Sequence, residues 1–384
     1  MPRWSPWRLW PERLEGGAGA LSYRGHLMRT ADLDYVLPEA AIAQHPLEPR
    51  DSARLLVASA AGEVCHRTVS ELPDLLDPGD LLVVNDSRVI PARLLLRKST
   101  GGAVEVLLLA RRSDAGTWEA LVRPSRRVPP GAVLELASGS DVLRVTVGET
   151  LGDDGRREVQ LHGDLPDDLD LLAEAGEIPL PPYIHEPLAE PERYQTVFAA
   201  APGSVAAPTA GLHLTDDVLR RCRERGIAVA TIELEVGLGT FRPITTERVE
   251  DHPLHSERYR IPAATLDALA GHMGPRDRAG RVVAVGTTVV RALESWAADG
   301  STSARSDLFI RRGHSFRVVD RLITNFHVPR SSLLALVEAF VGPGWRDLYE
   351  SALRERYRFL SFGDAMLLDR RAVARIDGSG GDEP

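Results

Sequence analysis

The strongest indication of the fold is a change in the spacing of apolar and turn-forming residues between residues 89 and 162. Short apolar runs occur there between clusters of Gly, Pro, Ser and Asp, and no helical period separates them. The runs lie at 104–109, 118–122, 132–136, 143–147 and 158–161. Strands spaced this closely are typical of a compact antiparallel barrel or sandwich. We therefore predict an inserted small antiparallel β-barrel domain at 89–178.

The chain on both sides of this region alternates helical and strand patterns. The strand patterns lie at 81–84, 227–234, 282–285 and 317–322, and the helical patterns at 216–225, at 263–273 and from about Ser331 onward. Thr215 is placed to cap the first of these helices, and Gly226 to end it. Such alternation favours an α/β layer or barrel with ligands at the strand ends. The expected fold class is α/β.

Composition excludes several functional classes. The chain has 384 residues, 43% of them hydrophobic and 26% charged, which is ordinary for a folded protein of two domains. A net charge of -9 argues against a surface that binds polyanions everywhere. Cys65 and Cys222 have no metal-binding spacing around them, and no apolar run is long enough to span a membrane. Residues 1–27 lack the apolar core of a secretory signal, so we predict a flexible extension and a cytoplasmic protein.

The clearest chemical segment is TNFHVP at 324–329, which directly follows an apolar strand and precedes a helix. Enzymes of the α/β class bind ligands at this position. His327 can accept a proton near physiological pH, and Asn325 offers both a donor and an acceptor. The alternative interpretation is that both side chains cap the following helix.

Other segments carry weaker signals. The stretch 207–213 places small residues before His213, and GTT at 286–288 is suited to hold an anion or to cap a helix. The stretch 251–257 contains two histidines and two carboxylates, which suits substrate contact, a metal site or a surface loop. Pro253 opposes the helix that a metal-binding histidine pair would need. The aromatic residues and the acid of 357–366 suit stacking on a base or an edge of the core.

Residues 233–240 imitate the strand and glycine loop with which Rossmann-type methyltransferases hold S-adenosylmethionine. The third glycine is absent, and Pro243 does not favour the helix that should follow. A methyltransferase is therefore kept as an alternative.

Taken in order, ten strings of this chain resemble one family, the S-adenosylmethionine:tRNA ribosyltransferase-isomerases of queuosine biosynthesis. The resemblance runs from about Asp32 to Leu368. The strings are NDSRVIPAR (85–93), GGAVEVL (101–107), GEIPLPPYI (176–184), YQTV (194–197), AAPTAGLH (206–213), VGLGTF (236–241), HSE (255–257), AVGTT (284–288), TNFHVP (324–329) and YRFLSFGDAM (357–366). Their common order makes the set far more specific than any one string.

The resemblance implies a barrel-like α/β large domain, assigned to 28–88 and 179–384, that is interrupted by the small β-barrel. It also implies the reaction. The ribosyl part of S-adenosylmethionine is transferred to the aminomethyl group of a 7-deazaguanine base at the wobble position of tRNA and is rearranged to an epoxycyclopentanediol. Epoxyqueuosine tRNA, adenine and methionine are the products. S-adenosylmethionine is thus a consumed substrate, and neither a metal nor a redox cofactor is expected.

This chemistry needs a base for a proton next to the sulfonium, an acid to help adenine leave, and an unprotonated amine as nucleophile. Our candidates for proton transfer are His327, His213 and His255, with Glu257 and Asp364 offsetting the sulfonium and ammonium charges. Asn325, Thr209 and Thr288 are expected to orient adenine or sugar hydroxyls. Arg88, Arg93 and Arg291 are expected to hold the methionine carboxylate or a tRNA phosphate. The remaining substrate-binding candidates are Asn85, Gly211, Phe326, Tyr357 and Phe362.

The expected partners are S-adenosylmethionine and tRNA, with no membrane, and a monomer is the default. Arginine groups at 123–127, 220–225 and 311–317 are available for tRNA phosphates, and each is equally explained as a solvated surface. The chain departs from the family pattern at Glu235, Leu214, Val289 and Arg311-Arg312. These departures leave open a relative that acts on another nucleoside acceptor, or an RNA-binding protein that has lost the reaction.

Overall fold

The computed structural model describes residues 28–112, 116–152, 155–237, 243–254, 256–273 and 280–371, so the expected extension at 1–27 lies outside the described residues. The strands are β1 (Arg54–Ala58), β2 (Val64–Thr68), β3 (Leu81–Asn85), β4 (Ser87–Val89), β5 (Arg93–Lys98), β6 (Ala103–Arg111), β7 (Thr117–Arg123), β8 (Ala132–Leu136), β9 (Arg144–Leu151), β10 (Arg156–His162), β11 (Ala201–Ser204), β12 (Ala228–Leu234), β13 (Glu257–Arg260), β14 (Val282–Val285), β15 (Ser303–Ser306), β16 (Arg321–Asn325) and β17 (Ala365–Asp369). The helices are α1 (Leu72–Leu75), α2 (Asp168–Ala175), α3 (Asp216–Glu224), α4 (Ala263–Ala270), α5 (Thr287–Asp299), α6 (Ser332–Val341) and α7 (Trp345–Arg354).

A nine-stranded mixed sheet forms the large domain, in the order β15-β13-β12-β3-β14-β16-β17-β1-β2. Its central strands β12, β3, β14 and β16 are parallel. Leu81 and Val83 of β3 belong to a core on one face of the sheet, and Leu82 and Val84 belong to a core on the other. Burial on both faces explains why these strands are nearly continuous apolar runs in the sequence.

Strands β5 to β10 close into an antiparallel barrel in the order β10-β7-β6-β5-β8-β9. Along β6, Val104, Val106 and Leu108 are buried and their neighbours are more exposed, so the period of two in the sequence reports the two faces of the barrel wall. The fold class is confirmed as α/β with an inserted antiparallel β-barrel. In the described residues the large-domain sheet is open, with β15 and β2 as its edges, so closure belongs to the inserted domain alone.

The chain enters and leaves the barrel at adjacent points. The Arg93 amide donates to the Glu177 carbonyl over 3.1 Å, and the Glu177 amide donates back to the Arg93 carbonyl over 2.8 Å. A Cβ on Gly176 would lie 1.9 Å from the Pro91 carbonyl oxygen, so this junction requires glycine. The paired entry and exit suit an insertion, and the domain limits at 88/89 and 178/179 stay predictions.

Helix α3 forms as its sequence predicts. The Thr215 hydroxyl accepts a hydrogen bond of 3.2 Å from the Val218 amide, which satisfies one donor of the first turn. Gly226 follows the helix with a φ of +80°, a left-handed conformation that glycine adopts without strain.

The strand expected at 317–322 is wrong in its limits, because β16 begins only at Arg321. The backbone amides of Arg317, Val318 and Val319 donate instead to the carboxylate of Glu294 on α5, over 2.8, 3.0 and 3.1 Å. A segment whose amides bind one carboxylate has none left for a neighbouring strand. None of the helices in the described ranges has the length and apolar character needed to cross a membrane.

Candidate active site

A cleft lies at the carboxyl ends of β14 and β16, in the large domain. The lining residues are Ala207, Pro208, Thr209, Ala210, Val236, Gly286, Thr287, Thr288, Thr324, Asn325, His327 and Leu333. Four sequence candidates therefore meet in one place, because the ends of neighbouring parallel strands lie at the same edge of a sheet.

Asn325 is fixed at the floor of this cleft. Its Oδ1 atom accepts a hydrogen bond of 2.9 Å from the Thr209 hydroxyl, and its Nδ2 atom donates over 3.1 Å to the Leu360 carbonyl. Asn325 is 3% exposed, so these bonds satisfy groups that burial would otherwise leave costly. The amide therefore presents a rigid hydrogen-bonding edge beside the Thr209 hydroxyl.

His327 is held on all sides by neighbours in the fold. Its Nε2 atom lies 2.8 Å from the Thr324 hydroxyl. Its backbone amide donates over 3.1 Å to the Tyr349 hydroxyl, and its carbonyl accepts over 2.5 Å from the Tyr35 hydroxyl. Burial lowers the pKa of His327 to about 3, so the ring is neutral at physiological pH. In the part of the chain that the structure describes, no hydrogen bond reaches Nδ1, which leaves that nitrogen for a ligand.

The first turn of α5 forms one wall. Gly286 precedes the helix with a φ of +97°, which lets the chain turn sharply out of β14. The side chains of Thr287 and Thr288 follow at the helix N-terminus. Thr288 is 8% exposed, and its hydroxyl has no hydrogen-bond partner among the described residues. A buried hydroxyl without a partner in the protein is costly, and it is well placed to bind a polar ligand.

A second, partly open cavity adjoins the first and shares Thr287, Thr288 and Leu333 with it. Its other lining residues are mostly apolar: Leu254, Arg291, Leu308, Phe309, Ile310, Ser332 and Leu336. Arg291 supplies the charge, with its Nη1 atom 3.0 Å from the Glu257 carboxylate. Glu257 also accepts a 3.1 Å hydrogen bond from the Gly237 amide. The predicted pair of Arg291 and Glu257 therefore stands beside the cleft, largely buried.

His213 and Asp364 lie elsewhere and have structural contacts. The ring nitrogens of His213 lie 3.1 Å from the Ala210 carbonyl and 2.8 Å from the Gly363 carbonyl, so both point at groups that only accept. The Asp364 carboxylate accepts from the Arg54 and Arg358 amides over 2.9 and 2.7 Å. These contacts favour positioning roles, and the catalytic roles of both residues stay predictions.

Asn85 and Gly211 also have structural contacts. The Asn85 side chain donates to the Leu234 carbonyl and accepts from the Leu234 amide and from Ser87, so it joins the ends of β3 and β12. A Cβ on Gly211 would lie 2.8 Å from the ring of Phe198. Their predicted role in substrate binding has no support from these contacts.

The arginine and aromatic candidates are spread over the molecule. Arg88 pairs with Glu192, and Arg93 with Glu105, in half-exposed ion pairs. Phe326 and Tyr357 belong to an aromatic core cluster, and Phe362 packs edge-on against Tyr194. His255 lies outside the described residues.

Several residues that form the site were not among those predicted from the sequence. Thr324 was within a recognised string, but its contact with the His327 ring depends on how the chain turns after β16. Tyr35 and Tyr349 contact the His327 backbone from positions distant in sequence. No local sequence pattern predicts these contacts. The apolar lining of the second cavity could not be predicted from the sequence either, because apolar residues usually indicate the protein core.

No cluster of three or more histidine, cysteine, aspartate or glutamate side chains placed to hold a metal ion occurs within the described ranges.

The mixed sheet, its cleft of hydroxyl, amide and imidazole groups at the ends of parallel strands, and the attached barrel define an α/β enzyme. A protein family described as "Queuosine biosynthesis protein" matches residues 30–368. The chain belongs to this family.

Similar proteins cover nearly the whole chain. The S-adenosylmethionine:tRNA ribosyltransferase-isomerase of Rubrobacter xylanophilus is 53% identical over 344 residues, 89% of this chain and 98% of the relative. Its counterpart in Thermus thermophilus is 49% identical over 346 residues, 87% of this chain and 98% of the relative. The crystal structure of an S-adenosylmethionine tRNA ribosyltransferase from Thermotoga maritima matches with a TM-score of 0.50 and 36% identity, covering 88% of this chain and 99% of that one.

Proposed function

We propose that the cleft binds the nucleoside of S-adenosylmethionine and that the adjoining cavity binds its methionyl part. The chain is an enzyme and catalyses the reaction for which its relatives are named, S-adenosylmethionine:tRNA ribosyltransferase-isomerisation in queuosine biosynthesis. The acceptor is the aminomethyl group of 7-aminomethyl-7-deazaguanine in tRNA. Adenine and methionine leave, and epoxyqueuosine tRNA is the product.

The observation that carries this assignment is the grouping of Thr209, Asn325 and His327 in one cleft. The Asn325 amide and the Thr209 hydroxyl supply donors and acceptors of the kind that a base edge or sugar hydroxyls require. The Nδ1 atom of His327 supplies a neutral acceptor next to them. The ring is neutral at physiological pH, so one ring nitrogen carries a proton and the other has a free lone pair. In the tautomer that donates from Nε2 to the Thr324 hydroxyl, the acceptor is Nδ1.

The chemistry begins with a sulfonium, which acidifies the neighbouring C–H bond of the sugar. In our proposal His327 takes that proton, and the hydroxyls of Thr209 and Thr288 orient the nucleoside. The substrate amine must be unprotonated to attack, and adenine needs a proton as it leaves. Low solvent access in the cleft strengthens each of these polar interactions.

Arg291 and Glu257 suit the zwitterion of the methionyl group. The guanidinium can bind the carboxylate, and the Glu257 carboxylate can offset the ammonium. Leu308, Phe309 and Leu336 supply apolar surface for the methylene chain between these charges and the sulfonium.

The methyltransferase alternative is not favoured. A Rossmann glycine loop opens a helix that crosses over to a parallel strand. Here the described chain continues past β12 to Gly237 and resumes at Pro243. The segment that follows forms one turn of 3-10 helix (Val249–Asp251) and leads into β13, which pairs antiparallel to β12.

The positions that depart from the family pattern do not favour another acceptor either. Leu214 and Val289 are fully buried in the core. Arg311 and Arg312 form ion pairs with Glu250 and Glu338. The Glu235 carboxylate lies 3.7 Å from the Arg258 guanidinium, and burial raises the pKa of Glu235 despite this cation. All five residues are thus packed or paired outside the lining of the cleft.

The reaction consumes S-adenosylmethionine as a substrate, and we propose that it needs neither a metal nor a redox cofactor. The cytoplasmic location and the monomeric state stay predictions. Activity after exhaustive chelation, and light scattering during size-exclusion chromatography, test the cofactor and the monomer respectively.

The deciding experiment incubates the purified protein with S-adenosylmethionine and tRNA that carries the aminomethyl-deazaguanine base. Free adenine and the mass of the digested nucleoside are measured together. We expect adenine release with a matching ribosyl-derived mass gain. S-adenosylhomocysteine as the product would instead indicate a methyltransferase, and tRNA binding without adenine release would indicate an RNA-binding protein.

A further inference from the structure

The chain has three groups of arginines that could meet RNA phosphates, at 123–127, 220–225 and 311–317. In the group on α3, Arg220 pairs with Asp217 and Glu224, while Arg221 and Arg225 both pair with Asp74. Neighbouring carboxylates therefore cancel most of the positive charge of this group.

In the group at 311–317, two of the three arginines are neutralised in the same way. Arg311 lies 3.3 Å from Glu250, and Arg312 pairs with the buried carboxylate of Glu338. The Arg317 guanidinium donates over 2.7 Å to the Ala297 carbonyl. Arg317 is therefore the one arginine of this group whose charge has no carboxylate partner among the described residues.

The third group lies on the inserted barrel and differs from the other two. Arg123 ends β7, and Arg126 and Arg127 lie in the 3-10 helix Ser125–Arg127 that follows. All three are exposed, and within the described ranges no carboxylate oxygen lies within 4.0 Å of their guanidinium groups. Glu105 faces Arg123 across β6 and β7, but its carboxylate bonds to Arg93 over 3.0 Å instead.

Two further cations donate hydrogen bonds to backbone carbonyls of this turn and of the residue that follows it. Arg157 is 3% exposed, and its guanidinium donates to the Gly148 and Val128 carbonyls. Its charge is therefore buried directly beneath the turn, with carbonyl oxygens as its partners. Lys98, the only lysine of the chain, donates from its ammonium to the Arg127 carbonyl. The exposed arginines therefore lie on a backbone that is held by hydrogen bonds. The Arg157 guanidinium lies next to this backbone and adds positive charge, because its hydrogen-bond partners are neutral carbonyls.

We propose that this barrel arginine patch, formed by Lys98, Arg123, Arg126 and Arg127, binds backbone phosphates of the substrate tRNA away from the modified base. The inference rests on the proposed function, which supplies tRNA as the partner. Guanidinium groups bind phosphate oxygens in a fork, and a rigid turn loses little entropy when it does so. On a chain with a net charge of -9, a local patch is where a polyanion gains affinity.

The test measures the affinity of fluorescently labelled tRNA, carrying the aminomethyl-deazaguanine base, at a series of salt concentrations. The patch variant combines Arg123→Gln, Arg126→Gln and Arg127→Gln. Each lost phosphate contact makes the slope of log affinity against log salt shallower by about 0.7, so we expect a change of about 2. The double variant Arg126→Gln/Arg127→Gln, which leaves β7 intact, should change the slope by about 1.4.

The matched control combines Arg220→Gln, Arg221→Gln and Arg225→Gln, which removes the same charge from ion-paired positions. Its slope should equal that of the wild type, with an unchanged melting temperature in every variant. Equal slopes for the double variant and the control would contradict the proposal that the patch binds tRNA phosphates. A wild type that neither binds the tRNA nor releases adenine would instead overturn the proposed function, so the two failures are distinct.

Discussion

His327 combines two properties at the scale of a single residue. Its ring is buried and neutral, and its Nδ1 atom points to no partner in the described part of the chain. Replacing it in His327→Gln keeps a polar side chain but removes the ring nitrogen that would take the proton. We expect turnover, measured as adenine release, to fall by a factor of about 10² to 10⁴, the usual contribution of a positioned base. Affinity for tRNA should be unchanged.

The control for this prediction is His272→Gln. His272 has the same 7% exposure as His327, but its ring nitrogens contact the Ala268 and Gly79 carbonyls. The control variant should keep its turnover once it is folded. Near-normal turnover in His327→Gln would remove the proton-transfer role.

The lowered pKa of His327 also has a consequence for stability. The unfolded chain binds a proton at this residue below about pH 6.5, and the folded chain resists it down to a pKa of about 3. Stability is therefore lost as the pH falls through this window. Between pH 7 and pH 5 the loss due to His327 is about 2 kcal/mol.

Urea unfolding of the wild type and of His327→Gln at the two pH values measures this contribution. The variant should lose about 2 kcal/mol less than the wild type between pH 7 and pH 5, because the other titrating groups contribute equally to both proteins. Equal losses would show that the ring is protonated in the folded protein.

At the scale of elements, Glu294 determines where β16 begins. Its carboxylate accepts from the amides of 317–319 and, from 3.6 Å, faces His314. Burial opposes its ionisation, but the nearby His314 ring and the hydrogen bonds from these amides prevail and lower the pKa of Glu294. In Glu294→Gln one oxygen becomes an amino group that cannot accept. We expect a loss of about 1–3 kcal/mol in the free energy of unfolding, measured in urea.

Glu224→Gln provides the comparison, because Glu224 forms an exposed ion pair with Arg220 on α3. Its effect should stay within about 0.5 kcal/mol. If the two variants lost equal stability, the amide contacts of Glu294 would contribute no more than a surface ion pair.

At the scale of the whole molecule, the barrel has a core of its own. Its buried cluster includes Leu94, Val106 and Leu134, and α2 adds Leu171 and Leu172. The chain enters and leaves this unit at hydrogen-bonded neighbours. We expect the fragment 91–178 to unfold cooperatively on its own, measured by circular dichroism in urea.

A shorter fragment, 91–163, lacks α2 and exposes the apolar surface that Leu171 and Leu172 cover. It should be less stable than the longer fragment by several kcal/mol. Non-cooperative unfolding of the longer fragment would show that the barrel depends on the large domain and would contradict the predicted domain limits.

Features that depend on local geometry could be predicted from the amino-acid pattern alone. Alternation with a period of two predicted the barrel wall, continuous apolar runs predicted the buried parallel strands, and Thr215 and Gly226 marked the ends of α3. Each of these patterns reflects the backbone angles and burial of consecutive residues. The TNFHVP string was likewise found at the end of a strand, where the cleft lies.

Which candidate residues share the cleft depends instead on long-range packing. Asn325 and His213 are similar as sequence signals, yet one lines the cleft with Thr209 and the other lies between two backbone carbonyls. The sequence likewise does not distinguish an arginine that is free to bind an anion from one that is paired with a carboxylate. Partners from distant parts of the chain are set by sheet order and packing, and local periodicity carries no information about them.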